Sequence, residues 1–176
     1  MLNLPFVAVT IMMFQGVVSS LDRLVAAILS LGRFLALPIV VLLCLQWPLR
    51  DLVRAYSREA NDLGQWLFAL YVAIAITAAT RAHTHLATDV VARGYSERTR
   101  DILARAGALI GMLPWALIVL IAGKNIVISS VLGREAFPDT ANPGYFIVKI
   151  ALWLLAGLMF VQALIDVFAS RGRSST

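Results

Sequence analysis

Residues 63–80, LGQWLFALYVAIAITAAT, run for eighteen positions without a formal charge. A helix that crosses a bilayer needs about 20 mostly apolar residues, so this stretch, bounded by Asp62 and Arg81, is of spanning length. Outward from it lie three more of the same kind. Residues 106–123 and 150–165 carry no charge, and the latter extends back to Tyr145 if Lys149 is tolerated. Residues 34–47 are also uncharged and reach spanning length when the helix starts near Leu31. Lipid-exposed backbone must satisfy its own hydrogen bonds, and the alternation of barrel strands is absent, so all four read as helices.

Composition agrees. The 176 residues are 60% hydrophobic and 14% charged, where a soluble domain is about half apolar and a quarter charged. Mean hydropathy is +0.84. These values exclude a disordered chain, a disulfide-rich secreted module and an ordinary soluble enzyme. With most of the chain in lipid, no separate soluble domain fits. The net charge of +5 comes from bases lying between the apolar stretches. They read as loop charges that set topology rather than as a nucleic-acid surface. The single cysteine, Cys44, permits neither an internal disulfide nor a cysteine metal site.

The first thirty residues differ. Residues 1–21 have no charged side chain but lack the basic start of a secretory signal, so they do not read as cleaved. From Val17 the apolar positions Val17, Leu21, Leu24, Ile28 and Leu31 recur at three- and four-residue steps opposite Ser20, Asp22, Arg23 and Ser30. The expectation is an all-α integral membrane protein, with four transmembrane helices and an N-terminal amphipathic helix in the interface. A fifth span at residues 2–21 is the alternative. The expected segments are 1–16 apolar and unassigned, 17–30 amphipathic helix, 31–49 first span, 50–61 outer connector, 62–82 second span and 83–104 cytoplasmic loop. There follow 105–124 third span, 125–144 outer loop, 145–168 fourth span and 169–176 tail. Nine bases then lie on the side of both termini and five on the other, which favours cytoplasmic termini. Pro38 and Pro114 fall inside spans and are expected to kink them.

No glycine-rich phosphate loop, nucleophile elbow or metal-spaced Cys/His set is present, so no cofactor and no catalytic residue is expected. The two histidines, His83 and His85, are two apart and point to different helix faces, so they cannot clasp one haem. Arg81, His85 and Asp89 follow at steps of four. On one helix they share a face, as a polar cluster that docks a neighbour or as simple interfacial capping. Lys149 either faces protein or water, or snorkels to the outer headgroups. Arg33 reads the same way at the inner end of the first span. Glu135 has Arg134 or Lys149 as candidate partners. Arg50, Arg54 and Arg58, also spaced by four, suggest a short outer helix that anchors on headgroups or docks a protein.

This arrangement resembles the small permease subunit of tripartite ATP-independent periplasmic (TRAP) transporters over residues 21–168. The resemblance rests on Asp62-Leu63-Gly64-Gln65-Trp66-Leu67-Phe68 and on Arg81, His85 and Asp89 within Arg81-Ala82-His83-Thr84-His85-Leu86-Ala87-Thr88-Asp89-Val90. Asn142-Pro143-Gly144 followed by Lys149, and Gln162 late in the last span, are similar too. The family more often has glutamate at the position of Asp62 and Arg-Val at Leu86-Ala87. The resemblance implies a single small-permease domain in a bacterial inner membrane that is not an enzyme. It would brace a large permease subunit, which holds the substrate and sodium sites and receives an organic acid from a periplasmic solute-binding protein. Asp62, Arg81, His85, Asp89 and Lys149 are then the candidate subunit-interface residues. A membrane anchor of a respiratory enzyme and a stand-alone small exporter are the alternatives.

Overall fold

The computed structural model describes residues 4–52, 57–82 and 94–168. Helix α1 (Leu4–Gly32) passes through one 3-10 turn (Arg33–Leu35) into α2 (Ala36–Asp51), and α3 covers Arg58–Arg81. Helix α4 (Glu97–Gly107) passes through a π turn (Ala108–Met112) into α5 (Leu113–Leu132), and α6 is Tyr145–Phe168. Four helical runs are long and apolar enough to cross a membrane: Gln15–Leu49, Arg58–Arg81, Arg98–Leu132 and Tyr145–Phe168. The all-α, four-span class expected from the sequence is the one observed. Among the described residues no strand forms, only an isolated antiparallel bridge between Ala136 and Pro143.

Local chemistry explains where these helices begin. The Ser57 hydroxyl accepts from the Ala60 amide at 3.1 Å, capping α3, while Glu59 in its first turn and Arg81 in its last complement the helix dipole. Ser96 caps α4 in the same way through the Thr99 amide. The two prolines that the sequence places inside spans do lie there, each in the first turn of the α segment that follows an irregular turn. Pro38 is the third residue of α2 and Pro114 the second of α5. A proline has no amide to give the carbonyl four residues back and crowds it. Those carbonyls belong to Phe34 and Ile110, which lie within the 3-10 and π turns. The irregular turns therefore absorb the proline clash while the helical run continues.

Helix α6 is the hub, lying against α1, α3 and α5, while α1 and α2 both lie against α3. The buried face of α6 carries Ala151, Ala156 and Ala163. Small side chains let helix backbones approach closely where lipid supplies no hydrophobic drive. Helices α1 and α3 approach closely at Gly32: a Cβ added there would fall 2.5 Å from Ile74 Cδ1. On α3 the buried Thr77 and Thr80 hydroxyls donate to the Ala73 and Ile76 carbonyls, so neither is left unsatisfied in the apolar layer. The amphipathic stretch lies within α1, with Val25 only 1% exposed. Helix α1 is unbroken through it and leads straight on toward α2.

Candidate functional site

Polar side chains gather at the two ends of the helix layer. At the end formed by the start of α3 and the turn before α6, Asp62 is buried at 6% exposure. Its Oδ2 accepts from the Thr140 hydroxyl at 2.5 Å and from the Asn142 amide group at 3.4 Å. The turn 133–144 is thereby tied to α3. A second tie joins the same turn to α6, where Lys149 Nζ and Ser130 Oγ both donate to Glu135 Oε2. The Lys149 hydrogen bond, then the one from Ser130, hold the Glu135 carboxyl below its ordinary pKa, against a smaller opposing effect of burial. Lys149 also sits 5.7 Å over the Tyr145 ring, and Phe137 packs edge-on against Tyr145 at 5.5 Å.

The backbone of the turn is organised with equal care. Glu135 N donates to Ser130 O and Arg134 N to Val131 O, the paired bonds that close a Schellman end on α5. Arg134 takes the left-handed position at φ 45°, where glycine is the usual occupant. The Glu135 carbonyl then accepts from the amides of both Gly144 and Tyr145, which starts α6. Arg58, Asn61, Asp62, Asp139 and Thr140 line an open polar cleft of about 330 Å³ beside the turn. Among the described residues no group of three or more His, Cys, Asp or Glu could hold a metal ion.

At the opposite end Arg81 Nη2 pairs with Asp22 of α1 at 2.7 Å, the two side chains being 29% and 41% exposed. Arg81 Nη1 is buried with no acceptor among the described residues. Gln162, 2% exposed, donates through Nε2 to Asp166 at 3.1 Å, and its Oε1 is likewise buried without a donor. The Thr80 hydroxyl lies 3.6 Å from Met159 Sδ, which registers α3 against α6 at this level.

Residues 39–172 match the family model for tripartite ATP-independent periplasmic transporters, DctQ component. This chain belongs to that family. Comparison with curated proteins gives no match, nor does comparison with solved structures. A multi-pass DctQ component is a transporter part, and membership implies association with other TRAP components.

The structure distributes the residues singled out in the sequence as follows. Asp62, Arg81 and Lys149 each find a partner within the chain: Thr140 and Asn142, Asp22, and Glu135. His85 and Asp89 lie outside the described residues, and α3 ends at Arg81. Arg50 stands in the last turn of α2 and Arg58 opens α3 behind an extended Ser57, so these two belong to different helices. Arg54 and the side chain of Arg50 lie outside the described residues. Of the two partners considered for Glu135, Lys149 is the one observed. Sequence reasoning missed Thr140 and Ser130, and it named Asp22 and Asn142 without their partners. The signal for Asp22 was its polar position on an otherwise apolar helix, but nothing local to it points to a residue 59 positions away. The family match starts in α2 and leaves Asp22 and the rest of α1 outside it.

Proposed function

We propose that this DctQ component braces the large permease subunit of a TRAP transporter that takes up an organic acid, coupled to sodium and delivered by a periplasmic solute-binding protein. The observation that carries this reading is the family match over residues 39–172, together with the way the helices meet. They form a layer around α6 with broad apolar faces exposed on α2 and α5, among them Leu37, Val41, Leu45, Ile118 and Ile121. The polar contacts at both ends tie the chain's own helices and turn together, as a rigid brace requires. Alternating access needs a moving element around a central site, and that role falls to the large subunit.

On this reading the protein sits in the bacterial inner membrane with both termini in the cytoplasm, by the excess of bases on that side, eight against five with Arg33 left out as lying within a span. The turn 133–144 and Arg58 then face the periplasm, beside the docking path of the solute-binding protein. The Asp22–Arg81 end faces the cytoplasm. There Arg81, with His85 and Asp89 next along the chain, is a latch to the large subunit. Co-expression with the large permease subunit of the same organism tests the reading. Affinity purification through a tag on this chain is expected to recover the large subunit in equal amount. Recovery of this chain alone from membranes that contain both contradicts it.

A further inference from the structure

Arg33 carries a charge well inside the helix layer. It opens the 3-10 turn between α1 and α2, and its guanidinium lies 5.2 Å over the Phe34 ring. Among the described residues no carboxylate pairs with it. Two rulers give its depth. Gly32 touches Ile74, which precedes Arg81 by seven residues, or about 10 Å of helix rise. Along its own helix Arg33 lies eleven residues beyond Asp22, or about 16 Å. Measured from the Asp22–Arg81 pair, Arg33 is therefore a third to a half of the way across a hydrocarbon layer of about 30 Å.

The surroundings make that position costly. Leu31, Phe34, Leu37, Val40 and Val41 are all more than half exposed, so the face around Arg33 is apolar and open. The close Gly32–Ile74 contact fixes the rotation of the helix, and Arg33 is exposed rather than turned into the layer. An arginine side chain reaches roughly 7 Å, short of headgroups about 10 Å or more away. Charged side chains within spans are rare and pair with protein groups or water. Two other cations within or bounding the spans have carboxylate partners, Arg81 in Asp22 and Lys149 in Glu135.

We propose that Arg33 docks on a carboxylate of the large permease subunit, and that the Arg33–Leu37–Val41 face of the α1–α2 run is a contact surface for that subunit. This deepens the proposed function and rests on it. A planar guanidinium suits bidentate recognition of a carboxylate, and in lipid the pair excludes solvent competition. Leu37, 65% exposed and one turn along the helix, supplies the apolar contact beside it.

The test uses the co-expressed pair with Arg33→Leu, Arg33→Lys and a photo-crosslinking benzoylphenylalanine at Leu37 in the otherwise unchanged chain. Arg33→Leu is expected to lower recovery of the large subunit at least tenfold, and Arg33→Lys to restore a substantial part of it. Irradiation is expected to join Leu37 to the large subunit. Purified alone, Arg33→Leu is expected to be as stable as the parent chain or more so, because its leucine faces lipid. Full recovery of the large subunit with Arg33→Leu overturns the proposal, as does a Leu37 probe that joins only lipid. A phospholipid held by the parent chain and lost in Arg33→Leu, with the complex intact, assigns the arginine to a lipid phosphate and also overturns it. The crosslink decides the matter if Arg33→Leu does not fold. If the unaltered chain recovers no large subunit, the proposed function itself fails, and this inference with it.

Discussion

Gly32→Ala sets two effects of opposite sign against each other where α1 and α3 meet. Alanine in a helix interior is favoured over glycine by about 0.5–1 kcal/mol. Its Cβ, however, would lie 2.5 Å from both Cδ1 and Cγ2 of Ile74 and 3.1 Å from its Cβ. Carbon atoms sit comfortably at about 3.5–4.0 Å, so the overlap is roughly 1 Å on two atoms. Ile74 is buried at 9% exposure and β-branched, so it cannot swing away without leaving its rotamer. Overpacking of this kind costs about 1–3 kcal/mol, and with two atoms overlapping in a buried site its upper half applies, which leaves a net loss of about 1–2.5 kcal/mol. Gly157→Ala is the control, because nothing lies within 4 Å of its added methyl, and it is expected to be neutral or stabilising. Trimming Ile74 to valine leaves Cγ2 in place and should not rescue Gly32→Ala. Trimming it to alanine removes both offending carbons, so the double variant should be more stable than the sum of the single losses by about 1 kcal/mol or more. Helicity of the purified chain during titration from mild detergent into dodecyl sulfate reads all five variants. A Gly32→Ala chain as stable as the parent, or strictly additive losses with Ile74→Ala, refutes the reasoning.

Asp22→Asn is expected to cost about 1 kcal/mol, the scale of a partly exposed pair rather than a buried one. The exchange Asp22→Arg with Arg81→Asp should recover most of that loss in the same titration. For Glu135, the folded-state pKa is lowered, so its contribution to stability is complete above the ordinary carboxylate range and lost only as pH falls through the lowered value. Protease cleavage of the turn 133–144 should therefore stay constant down to mildly acid pH and rise below it, and Glu135→Gln should remove that dependence. Orientation is checked with Asp139→Cys and Gly94→Cys, both at exposed positions, in a Cys44→Ser background. An impermeant thiol reagent on intact cells should label the first and spare the second.

The spans were legible because eighteen uncharged residues in a row admit few other readings. What the sequence hid was of two kinds. One was pairing over distance. Asp22 meets Arg81, and Asp62 meets Thr140 and Asn142, through packing of helices that no local period encodes. The other was continuity. The even spacing of Arg50, Arg54 and Arg58 suggested one helix, but the extended Ser57 cap separates α2 from α3. The 3-10 and π turns just before Pro38 and Pro114 were not legible either, since a proline in a span marks a disturbed helix without saying what form it takes.

The central claim is that this chain supports transport without performing it. Proteoliposomes with an inward sodium gradient and a loaded solute-binding protein outside test it directly, when they hold this chain alone, the large permease subunit alone, or both. The account expects uptake of the labelled organic acid only when both subunits are present. Uptake by this chain alone above that of empty vesicles, or full uptake by the large subunit without it, contradicts the account.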